Sequence, residues 1–269
     1  MFDIYPAIAK RAAFFVRLCN FSLEGDYTFE AGREINCHTA PYRSAVTKDA
    51  DRWFGELRVS YEQGSLDEGD LADTPLAQFQ LWFDEASANS VAEPNAMVLS
   101  TVDEDGAPSA RNVLLKGVDE RGFIFFTNLA SQKAKAIAYE PRVSLVFSWL
   151  PLHRQVLVCG LATTLARAES EEYFQTRPYG SKISAWVSRQ SEPIASRDTL
   201  EVKAQELVAR FPEEVPTPDF WGGYLVTPSS VEFWQGRPSR LHDRLRFVAR
   251  VDTPSIANAG HWQVQRFSP

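Results

Sequence analysis

Three side chains that carry or share charge stand at every second position near the C-terminal end. They are Arg240, His242 and Arg244, in the run Phe233-Trp234-Gln235-Gly236-Arg237-Pro238-Ser239-Arg240-Leu241-His242-Asp243-Arg244. On a β-strand, residues two apart share a face. Burying such groups unpaired costs several kcal/mol each, so that face must meet solvent or an anion. Two readings stay open: an exposed edge strand guarded by charge, or a wall of donors facing an anionic, planar ligand.

Other runs offer anion sites. Arg111-Asn112-Val113-Leu114-Leu115-Lys116 lies in a strand pattern. Arg111 and Lys116 are five apart, so an ideal strand puts them on opposite faces. Either they serve different anionic groups, or a bulge intervenes, or both are solvated strand ends. Phe126-Thr127-Asn128-Leu129-Ala130-Ser131-Gln132-Lys133 runs a strand into a helix N-terminus. Free N–H groups and the helix dipole make such a place receptive to phosphate. An ordinary N-cap at Ser131 accounts for the same residues. Tyr173 and Arg177 are four apart on a short helix and share a face, with Ser181 just past Pro178. A phenol, a guanidinium and a hydroxyl make a sensible phosphate clamp. Gln155 and Gln190-Ser191 add neutral hydrogen-bonding groups.

The chain contains no GxGxxG, Walker, GxSxG or HExxH pattern. A protein rich in phosphate-holding groups and short of its own nucleophile borrows its chemistry from a cofactor.

The elements that must position these groups read mainly as β. A helix is expected over 52–63. Another begins at Thr74-Pro75, with Thr74 as N-cap and Pro75 as first helical residue. Strands follow at 96–102, 110–117 and 123–127, with Asp105-Gly106 as a hairpin turn. Helix 131–139 precedes strands 142–149 and 154–166. Helices 169–176 and 200–211 come next, then strands 221–228, 230–235, 240–251 and 262–267. Antiparallel hairpins with short interposed helices predict a closed or partly closed barrel.

Composition narrows the class. The 269 residues are 44% hydrophobic, enough for a sizeable core, and the net charge of −7 argues against nucleic-acid binding by global positive charge. Cys19, Cys37 and Cys159 are scattered, so a reducing cytoplasm is expected. The histidines lack metal-ligand spacing, and no structural metal is expected. No apolar run approaches the ~20 residues that span a membrane. Residues 1–50 read as a poorly ordered extension ahead of a domain at 51–269. Lys10, Arg11 and Arg17 surround a short apolar run there, which suits a variable extension, upstream sequence wrongly included in the reading frame, or an amphipathic targeting peptide.

Taken together, the runs resemble the pyridoxine (pyridoxamine) 5′-phosphate oxidases. They are RNVLLK at 111–116, FFTNLASQK at 125–133, PRVSLVFSW at 141–149 and RQV at 154–156. EYFQTRP at 172–178, SKISAWVSRQS at 181–191, FWGGY at 220–224 and FWQGRPSRLHDR at 233–244 continue in order. The resemblance implies an α+β fold, mainly β with flanking helices: an FMN-binding split β-barrel of antiparallel Greek-key strands, paired as a homodimer with FMN at the interface. By position, it implies FMN contacts at Arg111, Asn112, Val113, Leu114, Leu115, Lys116, Phe126, Thr127, Gln132, Lys133 and Gln155, and at Gln190, Ser191, Trp234 and Arg244. The substrate's phosphate falls to Lys116, Tyr173, Arg177 and Ser181. Arg240, Leu241 and His242 lie against the substrate ring, with Arg240 and His242 in catalytic roles, and Arg58 and Tyr61 close over the site. The implied reaction takes pyridoxamine or pyridoxine 5′-phosphate to pyridoxal 5′-phosphate with O2 reduced to H2O2. A split-barrel flavin reductase and a non-catalytic FMN or pyridoxal phosphate carrier are the alternatives. One departure stands out: the position before Lys133, usually Arg in the family, is Gln132. It removes up to ~1–3 kcal/mol of charge-assisted bonding to the flavin phosphate.

Overall fold

The computed structural model describes residues 60, 61, 64–89 and 91–269. The extension expected over 1–50, Arg58 and most of the helix expected over 52–63 lie outside the described residues. Thr74 caps the first helix, α1 (Pro75–Ala88), its hydroxyl accepting from the Ala77 N–H at 3.2 Å, with Pro75 at the first turn. Phe79, Trp82 and Ala86 recur at helical spacing and are buried.

Strands β1 (Ala96–Val102), β2 (Pro108–Leu114), β3 (Gly117–Asp119) and β4 (Gly122–Asn128) come next, then helix α2 (Gln132–Tyr139). After β5 (Arg142–Trp149) and β6 (Arg154–Thr164) the chain forms α3 (Arg167–Thr176), α4 (Tyr179–Val187) and α5 (Arg197–Arg210). It ends with β7 (Trp221–Gln235), β8 (Asp243–Ala249) and β9 (Trp262–Arg266). Every pairing is antiparallel, in the order β2-β1-β5-β6-β7-β4-β3, with β8 on β7 and β9 on β8. β2 also touches β4, so the sheet curls toward closure. This is the expected split barrel.

β7 decides where the functional groups go. Its first half pairs with β4 and its second half with β8, while β6 runs beside both. Two strands were expected here, 221–228 and 230–235, because Pro228 cannot donate to a ladder. A register shift at Cys159/Gly160 opposite Pro228 keeps the strand continuous. A Cβ on Gly160 would lie 2.3 Å from the Thr227 carbonyl oxygen, so the bulge needs glycine. From Gly222 to Trp234 the strand runs about 40 Å at its ordinary rise.

The main core joins α1 to the inner sheet face through Phe79, Phe123, Phe147, Trp149, Phe233 and Phe247. Phe79 meets Phe123 and Phe147 edge-on, each at 5.0 Å. A second cluster, Phe174, Ile183, Val187, Leu207, Val215 and Trp221, ties α3, α4 and α5 to the start of β7.

Several expectations change. The strand expected over 240–251 begins only at Asp243. Pro238–Arg240 form a 3-10 turn, with Ser239 and Arg240 at positive φ of 57° and 63°. The alternation of Arg240, His242 and Arg244 on one strand face is therefore wrong: only Arg244 is on the strand. Helix α4 was not expected, because Pro178 reads as a stop; it is the residue from which α4 starts. Ser131 precedes α2 in extended conformation but makes no side-chain cap bond.

Candidate functional site

A cleft of about 790 Å³ opens between β2, β4, α2 and the α3–α4 segment. Arg111, Lys116, Lys133 and Arg177 all line it, and no Asp or Glu does. Among the described residues, none of these four cations has an ion-pair partner. On a chain of net charge −7, that is a local field built for an anion.

Each cation is held differently. The Arg111 guanidinium donates from Nη1 to the Leu99 carbonyl at 3.1 Å, Thr101 Oγ1 at 2.8 Å and the Ser109 carbonyl at 3.1 Å. Lys116 was expected to face away from Arg111. β2 stops at Leu114, and the Lys116 N–H turns to the Ile124 carbonyl at 2.8 Å, so both side chains line the cleft. Leu115, between them, points elsewhere: it is buried in the core, and Asn95 engages both its N–H and its C=O.

Lys133 is buried. Its Nζ donates to Gln190 Oε1 at 2.7 Å, Thr127 Oγ1 at 3.3 Å and Ser131 Oγ at 3.4 Å, all neutral acceptors. Burial first, and repulsion from Arg111 second, push its pKa down to about 8. Ser191 Oγ accepts the Gln132 N–H at 3.2 Å, so the segment after α4 meets the first donor of α2.

The wall beside these cations is aromatic. Phe126 stacks on Tyr173 at 4.1 Å and on Trp221 at 5.2 Å, with planes within 12° and 5°. The Arg177 guanidinium lies 5.0 Å over Trp221, and its buried Nη1 has no hydrogen-bond partner. Burial lowers the Arg177 pKa and raises that of Tyr173, so the phenol keeps its proton. An unsatisfied guanidinium N–H beside a protonated phenol suits a phosphate oxygen. Ser181, the third expected clamp member, is absent from the cleft lining. α4 presents Ser184, Ala185 and Ser188 there instead.

A second group of predicted residues lies at the far end of β7. Gln155, Trp234 and Arg244 pair across β6, β7 and β8, forming one row. The ring of His242 sits 4.6 Å from Trp234 and 5.8 Å from Tyr61. His242 Nδ1 accepts the Arg237 N–H at 3.0 Å. Burial and Arg240 lower its pKa, with Asp243 opposing. The neutral ring thus carries its proton on Nε2, where it can donate. Arg240 and Leu241 are exposed, and no hydrogen bond or ion pair engages the Arg240 side chain among the described residues. Tyr61 also packs 4.3 Å from His153, and a Cβ on Gly236 would lie 2.7 Å from the Tyr61 ring.

None of Gln155, Trp234, Arg240, Leu241, His242 and Arg244 lines the cationic cleft. One chain therefore holds the expected site residues in two separate groups. Sequence reasoning did not foresee the packing of His153 on Tyr61. It also missed Glu232, the carboxylate that holds Arg244.

Comparison with known proteins places this geometry. The chain is 51% identical over 216 residues to a pyridoxine/pyridoxamine 5′-phosphate oxidase of Cupriavidus necator, a match covering 80% of this chain and 99% of that relative. The chain belongs to the pyridoxine/pyridoxamine 5′-phosphate oxidase family. A Burkholderia lata oxidase of the same name is 51% identical over 217 residues, again covering 80% of this chain and 99% of the relative. Residues 83–210 match the pyridoxamine 5′-phosphate oxidase family model, and 221–269 match the pyridoxine 5′-phosphate oxidase C-terminal dimerisation region. Among solved structures, PhzG from Burkholderia lata, in complex with tetrahydrophenazine-1-carboxylic acid, superposes with a TM-score of 0.70 at 27% identity. That match covers 78% of this chain and all of PhzG. A pyridoxamine 5′-phosphate oxidase-related, FMN-binding protein from Nostoc punctiforme shares the fold at a TM-score of 0.58 and 16% identity, over 77% of this chain and all of that one. The two family matches thus span both groups of expected site residues described above, apart from Tyr61. Among the described residues no helix is long and apolar enough to cross a membrane, and no cluster of His, Cys, Asp or Glu could hold a metal.

Proposed function

We propose that the protein oxidises pyridoxamine 5′-phosphate and pyridoxine 5′-phosphate to pyridoxal 5′-phosphate, with FMN as cofactor and O2 as final acceptor. The observation that carries this reading is the cleft with four cations, an unsatisfied Arg177 N–H and no carboxylate. It has room and charge for two phosphorylated rings. When bound, FMN would supply the two-electron acceptor that the side chains lack: hydride from the substrate's C4′ carbon would pass to it and on, with protons, to O2 as H2O2, while the imine formed from the amine substrate would be hydrolysed by water with release of ammonia.

The side chains do the rest. Arg111, Lys133, Thr127, Gln190 and Ser191 hold the FMN phosphate end, with Asn112, Val113, Leu114, Phe126 and Gln132 around it. Lys116, Tyr173 and Arg177 anchor the substrate's phosphate, and Ser181 joins them only if α4 shifts. Anchoring both phosphates turns an encounter into a positioned reaction. Gln155, Trp234, Arg244, Arg240, Leu241 and His242 come from the second subunit of a homodimer, because about 40 Å of β7 separates the two groups within one chain. The match to a dimerisation region over 221–269 supports that arrangement. Arg240, exposed and unengaged, positions the substrate, and His242 donates from Nε2. Arg58 and Tyr61 close over them. We place the enzyme in the cytoplasm, as a homodimer with no nucleic-acid partner.

The similarity to PhzG favours a second reading, a flavoenzyme of this fold acting on another ring system. One assay separates the two. Purified protein with FMN and pyridoxamine 5′-phosphate in air should yield the aldehyde and peroxide. Bound FMN without either product would overturn the oxidase reading.

A further inference from the structure

Glu232 is the one carboxylate among the buried polar residues described, with its side chain 3% exposed. A buried carboxylate persists only when paired and hydrogen-bonded. Here it is engaged twice. Arg244 donates from Nε to Oε1 at 3.1 Å and from Nη2 to Oε2 at 3.0 Å, the two-pronged geometry of a guanidinium on a carboxylate. Arg246 donates to Oε2 from Nε at 3.0 Å and from Nη2 at 2.6 Å.

The register shows what this does. Directly across from Arg244 stands Trp234, and directly across from Glu232 stands Arg246. Arg244 therefore reaches Glu232 on the diagonal, away from its own cross-strand partner. Its Nη1 donates to the Ser268 carbonyl at 3.0 Å, and its guanidinium lies 5.9 Å over Phe267. That of Arg246 lies 4.0 Å over the same ring. Left alone, two arginines on one strand face repel each other. The shared carboxylate lets them sit together, and the cluster keeps one net positive charge.

We propose that Glu232 is a positioning residue for the flavin site: it aims the Arg244 guanidinium, drawing it off Trp234 so that the row Gln155–Trp234–Arg244 can receive a flat anionic ligand. This rests on the proposed FMN role of that row. Glu232 itself touches no ligand and acts through Arg244.

Titrating FMN into apo-protein and following the quenching of flavin fluorescence tests it, without reference to turnover. The four corners are wild type, Glu232→Gln, Arg244→Met and the double variant, each checked for folding by circular dichroism. Glu232→Gln and Arg244→Met should each weaken FMN binding at least tenfold, with the double variant no weaker than Arg244→Met alone. Glu232→Asp, which keeps the charge but draws it back, should recover part of the loss. It takes the place of Glu232→Gln in the cycle if that variant does not fold. Wild-type affinity in the Glu232 variant, or losses that multiply in the double variant, would overturn the proposal. Failure of wild type to bind FMN would instead overturn the functional reading beneath it.

Discussion

The two ends of β7 hold cations by opposite means. At the first end, Lys133, Arg111 and Arg177 are partly or wholly buried, satisfied by neutral oxygens or left unsatisfied, and no carboxylate enters. At the far end, Arg244 and Arg246 share Glu232, and Arg237 and Arg266 both pair with Asp243. The first end stores unpaid positive charge that a ligand phosphate can neutralise. At the second, shared carboxylates hold the arginines in fixed directions, except at Arg240, which is left unengaged.

That contrast can be broken from either side. The largest effect should come from the far end. Arg240→Ala and His242→Ala should each lower turnover by about 10²-fold or more while FMN stays bound; steady-state kinetics with flavin absorbance would show it. Unchanged turnover would remove their assigned roles.

At the cleft, Lys133→Met should weaken FMN binding by about 10- to 100-fold, the worth of a charge-assisted bond, measured by flavin titration. The wild type should also show a pH signature there. With Lys133 at about 8 in the free protein, FMN affinity should fall as pH rises above that value, and Lys133→Met should lose this dependence. The stability of the free protein runs the other way. The folded pKa lies below the ordinary lysine value of 10.5, so the unfolded chain binds more protons between the two. Stability should therefore rise with pH from about 8 toward 10.5, as a thermal melt series would register.

The smallest effect should be a gain. Gln132 is exposed, so Gln132→Arg should tighten FMN by no more than about fivefold. A larger gain would mean that the cleft is drier than the position of Gln132 implies.

Much of this was legible in the residues, for local reasons. The alternation in Val143, Leu145 and Phe147 marks β5, and Thr74-Pro75 marks the start of α1. What escaped depended on chain direction or long-range pairing. Arg240, His242 and Arg244 have strand spacing, but Pro238 and two positive-φ residues turn the backbone before the strand begins. Arg111 and Lys116 share a cleft because β2 ends between them. Ser181 was placed by its distance from Pro178, and an unforeseen helix gives Ser184 that face. The separation of the two groups of residues is invisible locally, since it follows from one fifteen-residue strand pairing with β4 at one end and β8 at the other.

The central claim is that each working site draws its two halves from two copies of the chain. Co-expressing Arg177→Met with Arg240→Ala, under two affinity tags, tests it directly. Each homodimer alone should be nearly inactive. In the heterodimer one of the two symmetric sites regains both intact halves, so the random mixture should recover about one quarter of wild-type turnover. A mixture as inactive as its parents would contradict the account, because it would place both halves of each site within one chain.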